Sequence, residues 1–189
     1  MRLKLMIVFF SLTLMSIFPL PSESKLGESY KLIYFHVPVT FVTLGSLLLF
    51  PILHFRVNNL EMKALSISTV TYSMIHLIIS SIFMLMTWGD LIFSEVRFVF
   101  SIAIFMFAAT HSLLCFIDIR LARIYSFLVY PLIPYFYLQL TKAEFQLHPT
   151  VIQMPAMLYI PYFFSIPFVF LFYLMIGEKI RNRLSFRFL

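Results

Sequence analysis

The sequence predicts an all-α membrane protein, a polytopic bundle of about six transmembrane helices in a single domain over residues 1–189. Of the 189 residues, 61% are hydrophobic and only 12% are charged, whereas an ordinary soluble domain is roughly half apolar and about a quarter charged. The apolar residues fall into six stretches, near 5–20, 34–53, 64–86, 98–117, 124–140 and 156–176. A spanning helix needs about 20 such residues, so the bilayer is the natural solvent for this chain.

The six stretches differ in how well they suit a spanning helix. The first and fifth lie at the short end of the usual range of about 17–25 residues. The fifth and sixth contain prolines, which membrane helices tolerate where neighbours satisfy the freed carbonyls: Pro131, Pro134, Pro161 and Pro167. The first stretch follows Arg2 and Lys4 as in a signal peptide, but no small-x-small cleavage site comes after it. We therefore expect an uncleaved first helix.

The basic residues predict the orientation. With the N-terminus inside, ten of the 14 basic residues are cytoplasmic and four are outside, which is the positive-inside pattern. The cytoplasmic set is Arg2, Lys4, Arg56, Lys63, Arg120, Arg123, Lys179, Arg181, Arg183 and Arg187, and the outer set is Lys25, Lys31, Arg97 and Lys142. Both termini are then cytoplasmic, and outer loops lie near 21–33, 87–97 and 141–155. Topology and anionic lipid explain the basic excess, so no nucleic-acid partner is required.

Two histidines are predicted to lie at the outer face. His36 stands where the second helix begins, and His148 lies in the last outer loop. Neutral imidazole is a common ligand of haem iron and other transition metals, so the pair suits bis-histidine ligation, although each alone also fits a surface residue. His54 is interpreted as an interfacial residue, and the single cysteine, Cys115, as a small packing residue that forms no disulfide or CxxC motif.

The middle outer loop combines aromatic and charged residues that suit a flat ligand with carboxylates. It contains the only tryptophan, Trp88, with Phe93, Glu95 and Arg97. The planar guanidinium of Arg97 is well matched to a propionate carboxylate. The alternative is a belt tryptophan that anchors a short loop at the membrane interface.

Two further histidines are predicted to lie in mid-membrane. His76 is roughly 16 Å and His111 roughly 20 Å below the outer ends of their helices, at 1.5 Å per residue. The two side chains are therefore expected to be able to meet. Intramembrane ionisable residues are functional candidates by default, here for a second haem or a quinone contact. A polar contact between helices is the alternative.

The outer elements together resemble the cytochrome c maturation protein C family, the haem-handling membrane proteins of cytochrome c assembly. The Gly27–Tyr30 run and the segment from Tyr34 to Pro38 resemble the family's Gly-acid-Ser-Tyr run and its Y-x-H-V-P segment at the start of helix two. Trp88, Gly89, Glu95 and Arg97 fall on positions of the family's tryptophan-rich loop, and Leu147 and His148 on its Leu-His step. At other family positions this chain differs, because Leu91, Ile92 and Ser94 stand where the family has tryptophans and Pro149 where it has glutamine.

The resemblance implies a protein of a prokaryotic cell membrane that binds haem b transiently, presents it at the outer face and hands it to a membrane-anchored haem chaperone. Subunits of an ABC transporter would assist release. His36 and His148 become the axial ligands of the haem iron. Trp88 and Phe93 become the aromatic platform, and Glu95 and Arg97 fix the loop or contact propionates.

Two other classes of function remain open from the sequence. One is a membrane cytochrome b type redox subunit that binds haem or quinone through His76 and His111. The other is a structural or solute-transporting membrane protein. Enzymatic hydrolysis is not expected, because no HExxH, GxSxG or GxxxxGK[ST] motif occurs.

Overall fold

The helices and the short turn described below make up the regular structure in the described part of the chain, as the all-α prediction requires. The computed structural model describes residues 2–21, 27–140 and 159–187. A short 3₁₀ helix at Glu28–Leu32 leads directly into the second of the seven α-helices in these ranges. The α-helices are α1 (Arg2–Ile17), α2 (Ile33–Arg56), α3 (Asn59–Trp88), α4 (Val96–Ile117), α5 (Ile119–Val129), α6 (Leu132–Leu140) and α7 (Ile160–Arg187).

Four of the helical segments are long and apolar enough to cross a membrane, which indicates a multi-pass membrane protein. They are Glu28–Arg56, Asn59–Trp88, Val96–Ile117 and Ile160–Ser185. The other two predicted spans are shorter elements. Helix α1 has 16 residues, and the fifth stretch is divided into α5, with 11 residues, and α6, with 9.

The helix ends follow local chemistry. Asn58 and Glu61 form a capping box at the start of α3, and Gly89 ends that helix in the left-handed region, with φ of 77°. Asp118 follows α4 and caps α5. Pro131 separates α5 from α6, because proline lacks the backbone N–H and its ring clashes with the preceding turn.

Buried clusters hold the long helices together, and two of them lie between α2, α3 and their neighbours. The first joins α2, α3 and α4 to the α5–α6 region through Leu47, Phe50, Met62, Ile104, Ala108 and Tyr130, among others. The second joins α2, α3 and α7 through Val39, Tyr72, Val169 and Tyr173. Large apolar side chains on the outside of the bundle remain exposed, as a lipid-facing surface requires; they include Phe41, Phe55, Ile117 and Phe163.

The bundle has two distinct ends. We call them the Trp88 end, where α2 begins and α3 ends, and the Arg56 end, where α2 ends and α3 begins. Arg2 contacts Glu178 at 2.8 Å and Arg181 contacts Glu61 at 3.7 Å. The start of α1 and the last turns of α7 therefore both lie at the Arg56 end.

Candidate histidine sites

The Trp88 end gathers the described residues of the predicted haem site. Because α2, α3 and α4 run alternately up and down, the start of α2, the last residue of α3 and the first turn of α4 come to the same end. A hydrogen bond of 3.0 Å between Ser29 Oγ and Thr87 Oγ1 ties the segment before α2 to the last turn of α3. His36, Trp88 and Arg97 thus belong to adjoining elements.

Glu95 fixes the loop between α3 and α4. Its side chain is fully buried, and Oε2 accepts a hydrogen bond of 2.7 Å from the backbone N–H of Phe98. This contact caps α4 and fixes the first turn of that helix, in which Arg97 lies. The Glu95 carboxylate therefore acts as the N-terminal cap of α4.

The aromatic residues of this loop differ in exposure. The ring of Trp88 packs edge-on against Phe83, with centroids 5.9 Å apart. Phe93 is 66% exposed, and its ring contacts Phe98 at 5.8 Å between centroids. The loop therefore presents one half-buried and one exposed aromatic ring.

His36 lies deeper than the sequence indicated. Its ring stacks on that of His76, with centroids 4.6 Å apart and planes 19° apart. His76 precedes Trp88 by twelve residues, which corresponds to roughly 18 Å along α3. His36 therefore lies among the packed helices, closer to the middle of the bundle than the loop between α3 and α4. The second predicted ligand, His148, lies outside the described residues, as does the whole of the loop 141–155.

The interfacial assignment of His54 was wrong. His54 is only 5% exposed, and its Nε2 lies 3.0 Å from Nε2 of His111, which is fully buried. The carbonyl of His54 also accepts a hydrogen bond from Arg123 at 3.3 Å. Sequence reasoning missed this pair because the proximity of His54 to a helix end suggests water contact, whereas α4 and α5 cover that side of α2.

His76 and His111 do not meet, contrary to the sequence expectation. Ser66 on α3 donates a hydrogen bond to Ser112 on α4 at 3.2 Å, so His111 lies level with Ser66. His76 is ten residues further along α3, a separation of roughly 15 Å. Each mid-membrane histidine instead contacts a different histidine of α2.

Cys115 completes a cluster with His54 and His111 toward the Arg56 end. Its Sγ lies 3.9 Å from Nε2 of His111, one helical turn earlier on α4. One potential ligand atom from each of His54, His111 and Cys115 lies within 4.8 Å of the others, and all three side chains are buried. His111 and Cys115 are four residues apart and so share one face of α4, whereas nothing in the sequence indicated the third member from α2.

Aromatic rings enclose this cluster. Phe50 stacks on the ring of His111, with centroids 4.5 Å apart, and Tyr130 lies 5.5 Å from it. A porphyrin placed here would have to displace these rings. A single metal ion needs only the approach of nitrogen and sulfur atoms that are already adjacent.

Comparison with known proteins adds no identification, since no protein-family model matches the chain and no curated protein matches it significantly.

Proposed function

We propose that the protein binds haem at the outer face of a prokaryotic cell membrane and hands it to a membrane-anchored haem chaperone during c-type cytochrome biogenesis. In this proposal the chain spans the membrane six times, α5 and α6 together form the fifth span, and both termini are cytoplasmic. The Trp88 end is then the outer end. Of the basic residues that the structure describes, two lie at this end, Lys31 and Arg97, and the whole chain has 14.

One observation carries the proposal: two aromatic rings and a guanidinium lie at one end of the bundle, and the adjoining helix α2 places an imidazole deeper among the helices below them. His36 supplies the iron ligand, Trp88 and Phe93 supply apolar contact, and Arg97 supplies the charge that pairs with a propionate. Each group matches a different part of haem. Their order from the bundle interior to its end, with imidazole deeper than guanidinium, also matches a haem whose propionates face water.

His76 enters the proposal as a positioning residue. Two nitrogens that bind one haem iron lie on opposite faces of the macrocycle, about 4 Å apart, since each metal–nitrogen bond is about 2.0 Å. The His36 and His76 rings are stacked with their centroids 4.6 Å apart, so their faces, rather than two of their nitrogens, point toward one another. We therefore assign the second ligand position to His148 and give His76 the task of restricting rotation of the His36 ring.

Transfer rather than catalysis suits this site. The protein contributes binding and orientation, and the chemistry of covalent haem attachment belongs to haem and its acceptor. Moderate affinity is required, because a carrier must release its cargo to the chaperone. Subunits of an ABC transporter remain the proposed partners for that release.

Haem titration of the purified full-length chain tests the proposal. We expect His36→Ala and His148→Ala each to weaken haem binding at least tenfold, and added imidazole to restore a bis-nitrogen absorbance spectrum. Trp88→Ala should cause a smaller loss, since iron ligation supplies most of the binding. His54→Ala, at the Arg56 end, is the matched control and should bind haem as the wild type does. A larger loss from Trp88→Ala than from His36→Ala would contradict the proposal.

The redox-subunit alternative makes a different prediction. It requires that haem stays bound to the protein during purification. Substitution of His76 or His111 should then remove the bound haem, whereas substitution of His36 or His148 should not. Because the levels of His76 and His111 differ by roughly 15 Å, this alternative uses a separate haem or quinone contact at each of the two histidines. No haem binding at all, even with haem supplied, would favour the structural or solute-transporting class.

A further inference from the structure

A buried cluster at the Arg56 end, separate from the proposed haem site, has the composition of a metal centre. It consists of His54 near the end of α2 and of His111 and Cys115 on successive turns of α4. Their exposures are 5%, 0% and 1%. Intramembrane ionisable groups are rare and usually functional, and three such groups from two helices converge here.

The distances nearly match those of a coordinated ion. Metal bonds of about 2.0 Å to nitrogen and about 2.3 Å to sulfur, in a trigonal arrangement, give about 3.5 Å between two nitrogens and about 3.7 Å between nitrogen and sulfur. The two Nε2 atoms are 3.0 Å apart, and Cys115 Sγ lies 3.9 Å from Nε2 of His111. The ligand atoms of all three residues lie within 4.8 Å of one another. Because Cys115 Sγ is also 4.0 Å from Nδ1 of His111, a side-chain rotation that brings Sγ toward Nε2 is needed as well as a small change in distance.

We propose that His54, His111 and Cys115 bind a single Cu(I) ion. Thiolate and imidazole are soft or intermediate ligands that select copper and zinc over magnesium, calcium or manganese. On binding, the Cys115 thiol releases its proton to the solvent buffer and an S–Cu bond forms. Both imidazoles bind through Nε2 as neutral tautomers protonated on Nδ1, so the hydrogen bond between the two Nε2 atoms is replaced by two Cu–N bonds. No electron is transferred, and the copper remains Cu(I).

Charge distinguishes Cu(I) from Zn(II) in this environment. One thiolate and one Cu(I) ion sum to zero, which is the least costly state for a buried site, whereas Zn(II) leaves a net positive charge. Positive groups are already close: Arg123 donates to the carbonyl of His54, and Lys63 lies over the ring of Phe116, next to Cys115. Asp118 is exposed at the helix end, where water screens its charge.

The hydroxyl of Tyr130 is a second, independent observation. Tyr130 is fully buried, and its hydroxyl has no hydrogen-bond partner among the residues the structure describes. Its ring lies 5.5 Å from that of His111. A buried hydroxyl without a partner is rare in folded proteins, and beside this cluster it supplies a further polar group for the ion's surroundings.

Anaerobic Cu(I) titration of the full-length protein in detergent, against a chromogenic Cu(I) chelator, tests the site. We expect one Cu(I) per chain, with X-ray absorption showing one sulfur and two nitrogen neighbours. Cys115→Ser and His54→Gln should each weaken binding at least 100-fold. His76→Gln, a buried histidine 3% exposed, is the matched control and should retain wild-type Cu(I) affinity.

Three outcomes would overturn the Cu(I) site. They are Cu(I) affinity unchanged in Cys115→Ser, copper without a sulfur neighbour, and tighter binding of Zn(II) than of Cu(I) in the same competition. Cys115→Ala, a small apolar replacement, distinguishes lost ligation from misfolding: it should keep the wild-type elution volume and still lose Cu(I). Because haem binding is measured separately by absorbance, failure of either proposal can be recognised without the other.

Discussion

The imidazole of His76 covers one face of the imidazole of His36, with ring centroids 4.6 Å apart and planes 19° apart. The two residues come from α2 and α3, so the stack fixes a side chain of one helix against the other. His76 Nδ1 is buried without a hydrogen-bond partner in the part of the chain that the structure describes. Packing against His36, rather than a hydrogen bond from Nδ1, is therefore the contact through which His76 can act.

This stack predicts different results for two substitutions of His76. His76→Phe keeps a flat ring against His36 and should change haem affinity by less than about threefold. His76→Ala frees the His36 ring and should lower haem affinity about tenfold, the lower end of the range for residues that orient a metal ligand. Haem titration and the low-spin electron paramagnetic resonance signal, which reports axial ligand orientation, check both. Equal effects of the two variants would show that ring stacking plays no part.

Glu95 is expected to stabilise the loop between α3 and α4 more than an ordinary cap does. Glu95→Ala removes a buried acceptor of the Phe98 N–H and should lower the free energy of unfolding by about 2 kcal/mol, the upper end for a helix cap. Asp118→Ala removes an exposed cap, at 2.8 Å from the N–H of Arg120, and should cost about 0.5–1 kcal/mol. Unfolding of both variants in mixed micelles measures the two losses in the free energy of unfolding. A larger loss for Asp118→Ala than for Glu95→Ala would refute the stronger stabilising role of the Glu95 cap.

Gly89 ends α3 in a conformation that favours glycine. Its φ is 77°, and a Cβ added there would meet nothing within 4 Å, so Gly89→Ala should cost about 1–2 kcal/mol through the backbone alone. Gly45, inside α2, likewise has open space around a Cβ. Gly45→Ala should instead be neutral or stabilising by up to about 1 kcal/mol. Thermal unfolding should therefore occur at a lower temperature in Gly89→Ala and at or above the wild-type temperature in Gly45→Ala, and equal destabilisation of both variants would contradict the backbone explanation.

Hydrogen bonds between α3 and α7 should contribute measurably to stability. Thr69 Oγ1 and Tyr173 Oη are 3.0 Å apart, and such contacts between membrane helices average about 0.6 kcal/mol, up to about 1.7. We expect Thr69→Val to lose an amount in this range. Thr71→Val is the control, because Thr71 Oγ1 donates to Ile67 O within its own helix. If the two variants unfold alike in a detergent titration, the interhelical bond contributes nothing.

The all-α fold class and four of the six predicted membrane segments could be predicted from the sequence. Apolar runs of about 20 residues need no tertiary information, because the bilayer itself demands them. The gathering of basic residues such as Arg2 and Arg181 at one end also follows from counting residues between segments. The break at Pro131 was visible as a proline, but its division of the fifth stretch into two short helices was not.

The side-chain partners were decided only by the tertiary structure. Depth along a helix follows from residue number, but which faces meet depends on how α2, α3 and α4 rotate against one another. That rotation placed His76 against His36 rather than His111, and buried His54 beside His111 and Cys115. The residue types that can bind a metal are therefore evident in the sequence, whereas their grouping arises from helix packing, which depends on contacts between residues far apart in the chain.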